Sequence, residues 1–110
     1  MNPKVKKLWL KALRSGKYEQ GYGYLRNEGL YCCLGVLTDI AIKEGVIPLD
    51  KVYWYEGYLE DEITKWSDLS KKDQEKLAEA NDGVVDTDFP DPDLAAATFE
   101  EIALMIENGL

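Results

Sequence analysis

GYGYLRNEGLYCCLGVLTDIAIKEG, residues 21–45, holds the switch on which the fold turns. Its first half is aromatic and broken by Gly21, Gly23 and Gly29, a pattern that suits short extended segments with a turn around Asn27-Glu28-Gly29. Its second half, Leu34 to Lys43, is almost wholly apolar and ends at Gly45, with Thr38, Asp39, Lys43 and Glu44 its main polar positions. A helix that is apolar nearly all round is buried, so this one is expected at the centre of the domain. Two adjacent cysteines, Cys32 and Cys33, sit where the extended half meets the helical half.

Upstream, Asn2 is placed to cap a helix and Pro3 suits its first turn. Val5, Leu8, Trp9, Ala12 and Leu13 recur at i, i+3, i+4, i+7 and i+8, which makes one buried face, and Gly16 suits a left-handed stop. Two short strands are expected between Tyr18 and Cys33. Downstream, Val52-Tyr53-Trp54-Tyr55 and Tyr58-Leu59 flank Glu56-Gly57 in the manner of a hairpin. Ser70 begins a largely polar helix that ends near Asn81-Asp82-Gly83, and Asp86 to Asp93, with Pro90 and Pro92, reads as a loop. Thr98 and Glu101 form the capping box of a last helix that buries Phe99, Ile102, Ala103 and Ile106. The expectation is a single α+β domain over residues 1–110, with about four helices and a small antiparallel sheet.

With 110 residues, 45% of them hydrophobic, the chain builds one core. It contains no apolar run of about 18 residues, and its charged, amphipathic start lacks the apolar block of a secretory signal, so a cytoplasmic protein without a membrane span is expected. The formal charge of −8 argues against general nucleic-acid binding. That charge is unevenly spread: residues 1–26 carry seven bases against Glu19, a net of +6, and the remaining residues carry six bases against twenty acids, a net of −14. Either two solvated faces attract each other within the fold, or the basic segment holds a small anion while the acidic remainder repels long nucleic acid.

The junction cysteines restrict the chemistry. Neighbouring Cα atoms lie about 3.8 Å apart, below the usual disulfide range, and free thiols fit a reducing cytosol. Two cysteines and no histidine fall short of a zinc site. Asp86, Asp88, Asp91 and Asp93 suggest calcium, but the run lacks the glycine and glutamate of an EF-hand loop and reads as a solvated acidic loop. No cofactor and no metal is expected. A thiol at a helix N-terminus is open to activation by the dipole, which makes Cys33 a candidate nucleophile; the competing reading is a small buried side chain. No spacing among the acids singles out a catalytic carboxylate pair.

A ligand cradle draws on the same stretch. Gly21 and Gly23 let a ligand approach the backbone, Arg26 suits a phosphate, and Tyr18, Tyr22 and Tyr24 offer rings on which a base can stack. Gln20, Cys33, Asp39 and Trp54 complete the candidate set, with Arg26 and Gln20 placed beside the N-terminus of the apolar helix, whose free N–H groups favour an anion. For each ring taken singly the alternative is core packing.

The segments WLKALRSGKYEQGYGYLR, YCCLGVLTD, LAEANDG and TFEEIALMIE, from Trp9 to Glu107, together resemble a group of small tailed-phage and prophage proteins of uncharacterised function. R-S-G-x-Y-x-Q-G and C-C-L-G-V-L carry most of that resemblance, which weakens between Gly83 and Ala97. It implies an origin in a phage genome and a role in binding, such as counter-defence in an infected bacterial cell. A shorter stretch resembles the NlpC/P60 cysteine peptidases: Cys33, Gly35, Val36 and Leu37 match, and Gly45 and Pro48 echo later positions, while Cys32 and Leu34 replace an aspartate and a serine. Those peptidases use a histidine base, which this chain lacks. Three functions follow as expectations: sequestration of a small phosphorylated, nucleotide-type signal; acidic inhibition of a host protein, in the manner of a nucleic-acid mimic; or hydrolysis at Cys33 or a carboxylate. Self-association would suit the first, since pockets often form between subunits.

Overall fold

Asn2 opens the chain as expected: its Oδ1 accepts from the N–H groups of Lys4 and Val5 at 2.9 and 3.4 Å, and Pro3 takes the first helical position. In this computed structural model, which describes residues 1–83 and 96–109, helix α1 runs over Pro3–Arg14. It buries Val5, Trp9 and Leu13 and stops at Ser15, followed by Gly16 at φ +75°. Trp9 can be fully buried because its indole N–H donates to the Cys33 carbonyl at 2.9 Å. That bond ties α1 to the start of α2, Cys33–Lys43.

Helix α2 is the centre of the domain, with eight of its residues buried and α1 and α4 packed against it. Gly35 explains how the preceding strand segment can lie directly across it. A Cβ at Gly35 would sit 1.7 Å from the Leu25 carbonyl oxygen, so only glycine permits the crossing. Glycine inside a helix costs about 1 kcal/mol relative to alanine, and here the close backbone approach is what it makes possible.

Three two-residue strands, β1 (Glu19–Gln20), β2 (Arg26–Asn27) and β3 (Leu30–Tyr31), form a sheet in the order β1-β3-β2. Strands β2 and β3 are antiparallel, joined through Glu28 at φ +53° and Gly29 at φ +79°, the paired positive values of a tight two-residue hairpin loop. The expected all-antiparallel sheet is corrected on one side: β1 pairs parallel to β3, Glu19 opposite Leu30 and Gln20 opposite Tyr31. Leu25 lies against Gly35 of α2 just before the hairpin begins, and β1 takes the far edge of β3.

The hairpin expected over 52–59 is absent. A 3-10 turn at Leu49–Lys51 leads into irregular backbone whose hydrogen bonds go to the sheet segment instead, Leu25 N–H to the Glu56 carbonyl at 2.8 Å and Arg26 N–H to the Trp54 carbonyl at 3.2 Å. Next comes a helix that the sequence did not predict, α3 (Asp61–Ser67), whose seven residues bury Ile63 and Ser67. Ser70 then caps α4 (Lys71–Asp82), and Thr98 and Glu101 form the capping box of α5 (Phe99–Glu107). The described residues thus hold five α-helices where about four were expected, in an α+β domain. The expected loop at Asp86 to Asp93, with its calcium reading, lies outside the described residues.

Helix α5 packs on α1, and there Arg14 meets Glu107 at 2.8 Å and Glu100 at 3.4 Å. Pairing with Arg14 holds the Glu107 carboxyl below its ordinary range. At this contact, part of the basic segment is neutralised by acids of the same chain.

Candidate functional site

Fully buried Asn81, the last residue but one of α4, gathers the inner side of the Gly/Tyr stretch. Its Oδ1 accepts from Cys33 N–H at 3.1 Å and from Gln20 Nε2 at 3.0 Å; its Nδ2 donates to the Gly21 carbonyl at 2.9 Å and to Asp82 Oδ1 at 3.0 Å. Two acceptor positions and two donors are the full capacity of an asparagine amide. Gln20 also donates to the Ala97 carbonyl at 2.7 Å, and Gly23 N–H donates to Asp82 Oδ1 at 2.9 Å. Gly21 is packed too closely for a side chain: a Cβ there would lie 2.7 Å from that of Leu30. Gln20, Gly21, Gly23 and Cys33, all predicted to touch ligand, are thus joined to α4 through Asn81 and Asp82, with Gly23 held only by its backbone.

The two thiols belong to this inner side. Cys32 Sγ accepts from Gly35 N–H at 3.4 Å and caps α2, while Cys33 Sγ lies 3.6 Å from the Leu77 carbonyl at full burial. Burial pushes the Cys32 thiol up to about 11 and the Cys33 thiol well above its ordinary value. A thiol at a helix start is activated only when its anion is tolerated, and desolvation prevails over the dipole here. The anion site expected at the N-terminus of α2 is also closed, because Asn81 takes the Cys33 N–H and the Leu25 backbone lies over Gly35.

The outer side is different. Register places Arg26 opposite Tyr31 across β2 and β3, and the guanidinium lies over two rings, 5.6 Å from the Tyr31 centroid and 5.5 Å from that of Trp54. Tyr31 meets Trp54 edge-on at 6.2 Å and Tyr18 edge-on at 5.0 Å. Tyr18 donates its hydroxyl hydrogen to Asp39, and Lys43 Nζ lies 3.0 Å from the same carboxylate and 5.6 Å from the Tyr18 centroid. Burial and the Asp39 hydrogen bond raise the Tyr18 phenol above its ordinary range. Among the predicted site residues, Tyr18, Arg26, Asp39 and Trp54 therefore form one continuous ribbon.

Tyr31 and Lys43 are the members of this ribbon absent from the predicted set; the signal for Tyr31 was its place opposite Arg26 across the two-residue turn, and that for Lys43 its place four residues after Asp39 on α2. A groove of about 260 Å³, lined by Arg26, Asn27, Glu28, Gly29, Trp54 and Tyr55, runs beside the ribbon. A smaller hollow of about 70 Å³ adjoins it at Asn27 and Glu28 and is walled by Tyr22 and Tyr24. Tyr24 meets Tyr55 edge-on at 6.0 Å, and both rings are exposed. Among the described residues no three Cys, Asp or Glu side chains group in a way that could hold a metal ion, and no helix is long and apolar enough to cross a membrane.

Across its whole length, residues 1–110, the chain matches the family described as a domain of unknown function, DUF8296, and it belongs to that family. No curated protein and no solved structure matches it.

Proposed function

We propose that this protein is a binding protein that captures a small phosphorylated ligand of the nucleotide class in the groove at Arg26. One observation carries the reading. The chain has two arginines; Arg14 is held by Glu107 and Glu100, whereas no carboxylate among the described residues pairs with Arg26. Its exposed guanidinium lies over Tyr31 and Trp54 and donates no hydrogen bond among the described residues, an arrangement suited to bidentate contact with a phosphate. Trp54 and Tyr55 supply ring faces for a base, and Glu28 and Asn27 supply acceptors for ribose hydroxyls or an exocyclic amine. At about 260 Å³ the groove lies just under the ~300 Å³ at which enclosed ligand sites begin, which fits one ring and its phosphate in an open cleft. The resemblance to small phage proteins supports placing this capture in an infected bacterial cytoplasm, as counter-defence against a nucleotide signal.

Isothermal titration of the full chain against cyclic and ADP-ribose-type nucleotides tests this directly. Saturable binding that is lost in Trp54→Ala supports the reading; a blank panel removes it. A second reading, an acidic inhibitor of a host protein, is favoured by the surface tyrosines. Of the seven in the chain, Tyr22, Tyr24, Tyr53, Tyr55 and Tyr58 are 42% to 64% exposed, and tyrosine is a preferred interface residue. That reading requires a specific partner in a host-lysate pull-down. Hydrolysis at Cys33 has little physical support, since the thiol is buried, protonated and without a histidine.

A further inference from the structure

Glu28 is an unusual residue for its place. It opens the two-residue turn between β2 and β3 at φ +53°, where asparagine, aspartate or glycine is the ordinary choice and a longer side chain gains nothing from the left-handed backbone. Its side chain is exposed, and no hydrogen bond or ion pair among the described residues engages its carboxylate. Arg26, two residues earlier, is exposed as well and pairs with no carboxylate among the described residues. Opposite charges this close along the chain attract each other, yet no ion pair joins these two. Both line the groove of about 260 Å³, whose aromatic wall is Trp54 and Tyr55. Glu28 also lines the adjoining hollow of Tyr22 and Tyr24, so it stands where the two spaces meet.

A groove that offers both an unpaired cation and an unpaired anion complements a ligand with one anionic end and one end rich in hydrogen-bond donors. The nucleobases differ in what they present to a carboxylate. Guanine sets two donors side by side, N1–H and the 2-amine, which match the two oxygens of an ionised carboxylate. Adenine and cytosine each set one amine beside a ring-nitrogen lone pair, and uracil flanks its single N–H with two carbonyl oxygens, so each brings a lone pair against the carboxylate. On the premise that Arg26 holds the phosphate, we infer that the groove prefers a guanine nucleotide and that Glu28 sets the preference. Glu28 accepts from N1–H and the 2-amine, Arg26 donates to the phosphate, and the Trp54 or Tyr55 ring stacks on the base. Within the nucleotide class, guanine-bearing phosphates then stand above those of the ADP-ribose type.

Isothermal titration of the full chain with GMP, IMP and AMP, which share sugar and phosphate and differ in the base edge, tests the preference. GMP is expected to bind about tenfold or more tighter than AMP, with IMP, which lacks the 2-amine, between them. Glu28→Asn separates recognition from folding. Asparagine suits the turn better than glutamate, so the urea midpoint holds or rises, while the shorter amide, with a donor in place of one acceptor, closes most of the gap between GMP and AMP. Equal binding of GMP and AMP overturns the preference and leaves capture at Arg26 standing, as does a full preference retained in Glu28→Asn. No heat with GMP overturns it too; binding of ADP-ribose-type nucleotides in that case keeps capture at Arg26, and a blank there removes both. A response to phosphoethanolamine equal to that with GMP also overturns the preference, since a bare ammonium would then be what Glu28 reads.

Discussion

Gln20 and Arg26 stand on the two edge strands of one small sheet, and their side chains have opposite fates. The Gln20 amide donates to Asn81 and to the Ala97 carbonyl, so both of its hydrogens are used inside the fold. The Arg26 guanidinium lies over two rings, which use none of its N–H donors. The difference teaches how a stretch rich in glycine and tyrosine divides its labour. Where donors meet acceptors of the same chain, the stretch secures the fold; where stacking alone holds a charged group, the donors stay available to something else.

The heaviest blow to the inner side is Gly35→Ala. A methyl 1.7 Å from the Leu25 carbonyl oxygen forces the crossing segment off α2, with an expected loss of about 4 kcal/mol or more, or no folded protein at all, by urea denaturation. A variant of wild-type stability would mean that the strand segment does not need this contact. Asn81→Ala comes next: it strands the Cys33 N–H and the Gly21 carbonyl, and an expected cost of about 3 kcal/mol follows from two unpaired buried groups.

The thiols supply a smaller, pH-dependent test. Their folded pKa values lie above the unfolded ones, so their contribution is fully present below the ordinary value of 9.0 and is lost as pH rises through about 11 for Cys32 and through the raised value of Cys33. Tyr18, also raised, acts in the same direction from a higher starting pH. The urea midpoint is expected to fall on the alkaline side of 9.0, and less steeply in Cys33→Ala; identical slopes would contradict burial as the cause. At neutral pH Cys33→Ser is expected to cost about 1–3 kcal/mol through its buried hydroxyl.

The legible parts of the fold were those written in local chemistry. The caps at Asn2, Ser70 and Thr98–Glu101, the stop at Gly16, the turn through Glu28 and Gly29, and the apolar central helix each need only near neighbours. What escaped depends on distant partners. The parallel pairing of β1 with β3, the reach of Asn81 to Gln20 and Cys33, and the fit of Gly35 under Leu25 leave no mark on sequence spacing. Helix α3 has seven residues and two buried anchors, too few for a period to show. The aromatic run at 53–55 looked like strand because its residue types favour one, yet Tyr53 and Tyr55 face solvent and the backbone pairs with the sheet segment only at Trp54 and Glu56. For the candidate site, Arg26 and Trp54 could be named from residue type, and so could a buried Cys33, but the close packing of Gly21 against Leu30 could not.

The smallest expected change in stability belongs to Arg26→Ala, and it gives the most direct test of the division. The exposed guanidinium contributes about 1 kcal/mol or less through its two rings, so the urea midpoint should barely move. Isothermal titration of the same variant, against the nucleotide that the wild-type chain binds, should show no heat of binding. Undiminished binding by Arg26→Ala, or an unfolded variant, would contradict the account; so would loss of binding in Cys33→Ser at unchanged stability, which would move recognition to the buried side.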